Sequence, residues 1–323
     1  MSDLVRVAVV GAGIMGTNHA RVVRQIPGVE LVAVVDQDLT KAQAAAGAAG
    51  VAAYSRLDEL TETIDAAVIA LPTSLHLPCA IALAERGTHL LVEKPLAMSV
   101  DEARQIVEVA EKNELVLAVG HIERFNAAVA ELPRLLDRPV HIEASRLGAY
   151  SPRISDGVIF DLMIHDIDIV CSLAGRDAVA LEVAGIARSL KGPTEDIATV
   201  IMRFSTGLTA TFNTSRLAQQ KIRTIEITQE ESTVIADLVR QDITVHRMTH
   251  HEYLSEQGTR YRQSSIVEIP FLESRGEPLA LELAHFIECV RTGATPRVDG
   301  AAGIRAIELA QRATDAVRQH TER

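Results

Sequence analysis

Up to about residue 120, short apolar runs alternate with stretches whose apolar residues recur every three or four positions. The runs at 4–10, 30–35, 66–70, 88–92 and 115–119 have strand length and are rich in Val, Leu and Ile. Between them, 14–25, 38–48, 75–86 and 100–113 carry the helical period. Strict alternation of this kind predicts a parallel sheet with helices on both faces. The Ala-rich stretch 42–49 follows Asp38-Leu39-Thr40, a helix start, and reads as a surface helix without chemistry.

After Gly120 the texture changes. Residues 127–136 read as helix and 139–147 as strand; a loop carries Tyr150, Pro152, Arg153, Asp156 and Gly157, and 160–173 form a compact helical segment. Runs suited to an antiparallel sheet follow at 178–188, 195–204, 208–217, 221–229, 232–238 and 242–248, with Ser205-Thr206-Gly207 as a hairpin turn. Two closing helices are expected at 277–292 and 301–319. The change of pattern sets two domains, 1–121 and 122–323, without repeats or a long linker. The fold class expected is α/β: a doubly wound parallel sheet, then an α+β domain around a large, mostly antiparallel open sheet. A sheet covered on one face leaves the other to bury, which predicts a homodimer or homotetramer through that sheet.

The first strand ends in Gly11-Ala12-Gly13-Ile14-Met15-Gly16, and a helix-like run opens at Ile14. Gly11 suits a tight turn, Gly13 a close approach to a pyrophosphate, and Gly16 close helix–strand packing. The helix N-terminus would offer free N–H groups to that phosphate. Asp36 ends the second run 20 residues after Gly16, where a dinucleotide fold places an acid against the adenosine ribose. The 1–121 domain is therefore read as a Rossmann domain. Gln37 follows, with no adjacent arginine for a 2′-phosphate, so NAD is expected over NADP.

Composition narrows the partners. Of 323 residues, 47% are hydrophobic, enough for two cores, and the net charge is −11. An acidic chain without a basic cluster is not built for nucleic acid or an anionic membrane surface. No apolar run reaches the roughly 20 residues of a membrane span, and no signal-peptide pattern precedes the first strand. Cys79, Cys171 and Cys289 are scattered and odd in number, which fits buried thiols in a reducing cytoplasm.

Three stretches carry candidate chemistry. Strand 88–92 ends in Glu93-Lys94-Pro95, at the sheet edge where ligands of open α/β folds bind. Lys94 stands either where a nicotinamide ring arrives or as half of a surface Glu/Lys pair; a cis bond at Pro95 would aim it. In 160–173, Asp161, His165 and Asp168 are spaced i, i+4, i+7 on one helix face among apolar residues, a costly pattern that reads as a functional stripe or, alternatively, as a satisfied structural network. Asp166 lies off that stripe and reads as structural or solvated. Gly120-His121-Ile122-Glu123-Arg124-Phe125-Asn126 closes the first domain; Arg124 and Asn126 either hold substrate or cap a helix and dock the domain. His246, His250 and His251 lie in strand and loop without cysteine partners, so no metal is expected.

The Gly11-x-Gly13-x-x-Gly16 turn, Glu93-Lys94-Pro95, Gly120-His121 and Asp161-x-x-x-His165-x-x-Asp168, in this order, resemble the glucose–fructose oxidoreductase / inositol dehydrogenase (Gfo/Idh/MocA) family over essentially the whole chain. The resemblance implies NAD(P)-dependent oxidation of a sugar-like secondary alcohol, with the family's catalytic lysine at Lys94 and its aspartate and histidine at Asp161 and His165. The chain departs from the pattern at Met163, where glycine is common, and in keeping only Gly157 ahead of the aspartate. Residues 120–126 and 152–168 further resemble UDP-N-acetylglucosamine 3-dehydrogenases, which would set Arg124 or Arg153 against a diphosphate.

The expected cofactor-binding set is Gly11, Gly13, Ile14, Met15, Gly16, Asp36, Leu71, Pro72, Thr73, His76, Glu93 and Lys94. The expected substrate-binding set is Lys94, His121, Arg124, Asn126, Arg153, Asp161 and His165. Rival readings are an inositol or free-sugar dehydrogenase, an enzyme that keeps its cofactor between turnovers, and a dinucleotide-binding sensor without catalysis.

Overall fold

The computed structural model describes residues 4–47, 50–151, 156–255, 258–273 and 275–321; the candidate Arg153 lies outside the described residues. The elements in chain order are β1 (Val5–Val10), α1 (Ile14–Val23), β2 (Val29–Val35), α2 (Leu39–Ala46), β3 (Ala52–Tyr54), β4 (Ala66–Ile69), α3 (His76–Ala84), β5 (His89–Glu93), α4 (Val100–Lys112) and β6 (Leu117–Gly120). They continue with α5 (Ala127–Leu135), β7 (His141–Leu147), α6 (Ile164–Ala174), β8 (Ala180–Arg188), β9 (Ile197–Phe204), β10 (Thr209–Ser215), β11 (Ile222–Thr228), β12 (Ser232–Asp237), β13 (Asp242–Ser255), β14 (Gly258–Glu268), α7 (Pro278–Thr292) and α8 (Gly300–Thr321).

The chain divides into two units, Met1–Phe125 with Gly276–Glu308, and Asn126–Arg275 with Leu309–Arg323. The expected 121/122 boundary falls near the first crossing, but it assigned 276–308 to the second domain. The reason is packing: Leu279, Leu283, Phe286, Ile287 and Cys289 of α7 are buried in one cluster with Val5, Val7, Ala20 and Val23 of β1 and α1. That contact is invisible to local pattern.

In the first unit six parallel strands take the order β3-β2-β1-β4-β5-β6. The order reverses between β1 and β4, which opens a crevice at their carboxyl ends. Local chemistry sets the helix starts. Asp38 accepts from Thr40 N at 3.1 Å to begin α2, and Ser99 Oγ accepts from Glu102 N at 3.2 Å to begin α4. The short β3 was absent from the sequence reading, since three residues carry no period.

The second unit holds an eight-stranded sheet, β14-β13-β12-β11-β7-β10-β9-β8, antiparallel except where β7 and β10 run parallel. Its side chains alternate. On β9, Ala198, Val200, Met202 and Phe204 are buried, while Ile197, Ile201 and Arg203 are exposed. The buried face packs against α5 and α6, and Val317 of α8 closes on Gly185. The opposite face is open. It carries Ile186 and Ile201 beside a polar ladder in which Asn213 Nδ2 donates to Glu143 Oε1 at 3.1 Å. β13 runs seven residues past the expected end at 248 to Ser255, and pairs with β14, which the sequence reading lacked.

Candidate active site

In the first unit, Gly11 has φ +101°, and a Cβ there would collide with the Ala70 carbonyl; a Cβ on Gly16 would collide with the Gly11 carbonyl. Both glycines are therefore steric requirements of the turn. Gly13 is different: a Cβ there meets nothing within 4 Å. It is the N-cap of α1 and has no side-chain cap. The open space lies over the uncapped first turn, and this cradle fits a pyrophosphate. Ile14 is exposed at the same turn, while Met15 packs on the β1–α1 core.

Asp36 accepts from Ala12 N at 2.7 Å and from Asp38 N at 2.9 Å. It ties the glycine turn to the end of β2 and lines a pocket with Val10, Gln37, Ser55, Arg56 and Leu71. Ser55 and Arg56 were missed in sequence, because only the β2–β3 pairing brings them beside Asp36. Arg56 is exposed and paired with Asp58 at 2.9 and 2.6 Å. Cys79 lines the same pocket, with its thiol pushed up to about 12 by burial, so it is inert at neutral pH.

At the carboxyl edge, Pro72 precedes the short helical turn Thr73–Leu75, and the buried His76 ring spans two strand ends. Its Nε2 lies 2.9 Å from the Leu71 carbonyl oxygen and its Nδ1 3.1 Å from that of Pro95. Burial pushes its pKa below the ordinary histidine value, against the pull of those carbonyls. A neutral ring has one N–H, so it donates either to the Leu71 carbonyl or to the Pro95 side, according to its tautomer. The Lys94–Pro95 bond is cis. Lys94 is half-buried, and its amide donates to Glu93 Oε2 at 3.2 Å. Behind it, Glu93 faces His19, and the fully buried Glu282 of α7 is held well above the ordinary carboxyl pKa by burial and then by the Glu93 charge. Neither His19 nor Glu282 was singled out in sequence.

His121 is buried after β6, and Arg124 is half-buried with its carbonyl accepting from Arg297 at 3.1 Å. Asn126 is taken up by the fold of the second unit. Its Oδ1 accepts from Ala128 N at 3.1 Å and its Nδ2 donates to the Leu238 carbonyl at 2.9 Å. The Oδ1 bond caps α5, the capping role that was one of its two expected readings.

In the second unit the acid–histidine segment is wound differently from the expectation. Ile159–Met163 form a π-helical turn that runs into α6, so a uniform 3.6-residue period does not hold across Asp161 and His165. Single π-turns recur at functional sites. Asp161 and His165 are half-buried, whereas Asp168 is 2% exposed. Asp166 is structural: Arg146 Nε and Nη2 donate to its two oxygens at 2.9 and 2.7 Å, all buried. Met163, at a departure from the family pattern, is fully buried at the π–α junction.

Two profiles match the chain: the oxidoreductase family NAD-binding Rossmann fold over residues 5–121 and the C-terminal alpha/beta domain of the same family over 148–322. The chain is 29% identical over 320 residues to the UDP-N-acetylglucosamine 3-dehydrogenase of Acidithiobacillus ferrooxidans, covering 98% of this chain and 99% of that protein. A solved structure of an enzyme of that name and organism superposes with a TM-score of 0.86 at 27% identity, over 98% and 99% of the two chains. The scyllo-inositol 2-dehydrogenase (NAD(+)) of Bacillus subtilis is 32% identical over 341 residues, covering 98% of this chain and 95% of that one. With both domains matched and the dinucleotide turn built as described, the chain belongs to the Gfo/Idh/MocA oxidoreductase family.

Proposed function

We propose that this oxidoreductase uses NAD to oxidise, reversibly, a secondary alcohol of a sugar or nucleotide-sugar. The observation that carries the reading is the uncapped α1 N-terminus at Gly13, tied through Ala12 to Asp36. It offers amides to a pyrophosphate and a carboxylate to ribose hydroxyls. When bound, NAD supplies the hydride acceptor. The substrate hydroxyl would give its proton to His165, acting as general base. Lys94 donates to the same hydroxyl oxygen and stabilises the developing alkoxide charge. Asp161 orients and tunes this acid–base set. Gly11, Ile14, Met15, Gly16, Leu71, Pro72, Thr73 and His76 shape the cofactor side; His121 and Arg124 serve the substrate side.

The finer reading is the 3-hydroxyl of a UDP-N-acetylhexosamine. Its support is the full-length match to a 3-dehydrogenase of that class and the likeness of 120–126 and 152–168 to such enzymes. The full-length match to a scyllo-inositol dehydrogenase supports a cyclitol as the second reading. NADH production is compared with UDP-N-acetylglucosamine, myo-inositol and scyllo-inositol. Preference for the nucleotide-sugar is expected, preference for a cyclitol moves the assignment to the second reading, and no turnover across these and a wider alcohol panel favours a binding protein. We also propose that a second copy of the chain covers the open sheet face, because exposed Ile186 and Ile201 stand there among paired strands. Light scattering showing a monomer would remove that proposal.

A further inference from the structure

The loop ahead of the acid–histidine segment is held by one buried side chain that the reaction does not use. Arg216, just past the end of β10, is 5% exposed. Its Nε donates to Asp196 Oδ1 at 2.5 Å, its Nη1 to the Asp156 carbonyl at 2.7 Å, and its Nη2 to Thr194 Oγ1 at 3.2 Å. Its guanidinium also lies 5.8 Å from the ring centroid of Tyr150, within cation–π range. One planar group therefore touches the chain at 150 and again at 156.

Asp196 is equally committed. It is fully buried, and it accepts from Leu190 N at 2.6 Å and Lys191 N at 2.7 Å as well as from Arg216. Burial alone would raise its pKa; the Leu190 amide, Arg216 and the Lys191 amide outweigh this and hold the carboxyl below its ordinary value. The charge on Asp196 thus persists at neutral pH and fixes the guanidinium. Next to it, Glu195 receives the start of the π-turn: Val158 N donates to its carbonyl at 3.1 Å and Ile159 N to its Oε1 at 3.2 Å. A Cβ on Gly157 would collide with that carboxylate, so a larger residue there would displace the Glu195 side chain from the Ile159 amide. Asp161 N then donates to Gly157 O at 3.0 Å.

We propose that Arg216 is a positioning residue: anchored by Asp196, its guanidinium grips the chain at Tyr150 and Asp156 and sets where the helical segment bearing Asp161 and His165 begins. The kinetic consequence rests on the reading of Asp161 and His165 as catalytic; the grip itself does not. Lysine keeps the charge but has a single nitrogen on a flexible stem, so it cannot serve Asp196, Thr194 and Asp156 in one plane.

The test uses the full chain with Arg216→Lys and, as a milder cut, Tyr150→Leu. Hydrogen exchange is read at the Val158, Ile159 and Asp161 amides and, as reference, across β1 and β4. In Arg216→Lys these three amides are expected to exchange at least tenfold faster, with the reference amides within twofold. kcat should fall at least tenfold, the NAD Kd should stay within twofold, and the shape of the pH profile should be retained. Tyr150→Leu is expected to speed the same amides about threefold, and it decides the question if Arg216→Lys does not fold. Unchanged exchange at the three amides, acceleration spread evenly over the molecule, or selective acceleration with wild-type kcat each overturns the proposal. If the wild type oxidises no alcohol offered, the proposed function fails, while the exchange result still decides the grip.

Discussion

His19 and Glu93, 74 residues apart in the chain, meet inside the dinucleotide unit with Nε2 2.7 Å from Oε1 and the imidazole fully buried. The other Glu93 oxygen receives the Lys94 amide, and Gly120 gives it room, since a Cβ there would stand 3.1 Å from Glu93 Cα and Oε2. This contact wedges the end of β5. Replacing His19 with Leu strands a buried carboxylate oxygen and is expected to cost about 2 kcal/mol in urea unfolding, with Gln recovering part of it. A Leu variant as stable as the parent would show that the contact contributes nothing.

Glu282 gives a pH signature. Its folded pKa is raised by burial first and by Glu93 second, while an exposed glutamate in the unfolded chain titrates near about 4.3. Above that pH the unfolded chain has released this proton and the native state still holds it, so stability falls as pH rises toward the folded pKa. Glu282→Gln, neutral at every pH, is expected to match the parent near pH 4 and exceed it progressively at pH 6, 7 and 8. Urea midpoints at these pH values check it; a constant difference, or one that shrinks with pH, contradicts the burial argument.

Asp36 should decide between the two nicotinamide dinucleotides. A 2′-phosphate would meet its carboxylate, and juxtaposed like charges cost several-fold to many-fold in affinity. We expect NAD to bind more tightly than NADP by calorimetry, and Asp36→Asn to narrow the ratio by about tenfold or more. Arg56, in the same pocket, is the cation positioned to benefit. Equal affinities in the parent would rule out this role for Asp36.

Lys94→Met retains most of the stem and removes the charge. Turnover is expected to drop by about two orders of magnitude or more, the scale of lost electrostatic stabilisation, with NAD affinity largely kept. Steady-state rates near the parent's would reduce Lys94 to a surface cation.

His165→Asn keeps a hydrogen-bonding amide but cannot take up a proton. kcat/KM is expected to fall about a hundredfold or more, and the limb along which it rises with pH should disappear or move. If both rate and profile survive, the general-base role passes to Lys94 and His165 becomes a positioning group.

The parallel sheet and its helices were legible because apolar period and glycine chemistry are local properties. Gly11 and Gly16 meet the close backbone approaches that their spacing implied, and Asp38 and Ser99 begin helices as such residues do. Features that depend on distant pairing were not legible. Ser55 and Arg56 reach the Asp36 pocket only through β3, and α7 joins the first unit only through tertiary burial of Leu283 and Phe286. The stripe of Asp161, His165 and Asp168 was found by counting at a constant period. The π-turn at Ile159–Met163 breaks that period, and a hydrogen-bond shift of one residue leaves no mark in composition.

The return of residues 276–308 to the first unit has a consequence for biosynthesis. A chain emerging from the ribosome completes β1 to β6 long before α7 exists. Until then the cluster that holds Val5, Val7, Ala20 and Val23 lacks its α7 members, Leu279, Leu283, Phe286, Ile287 and Cys289. The dinucleotide unit therefore reaches its complete apolar cluster only after the whole second sheet has been synthesised.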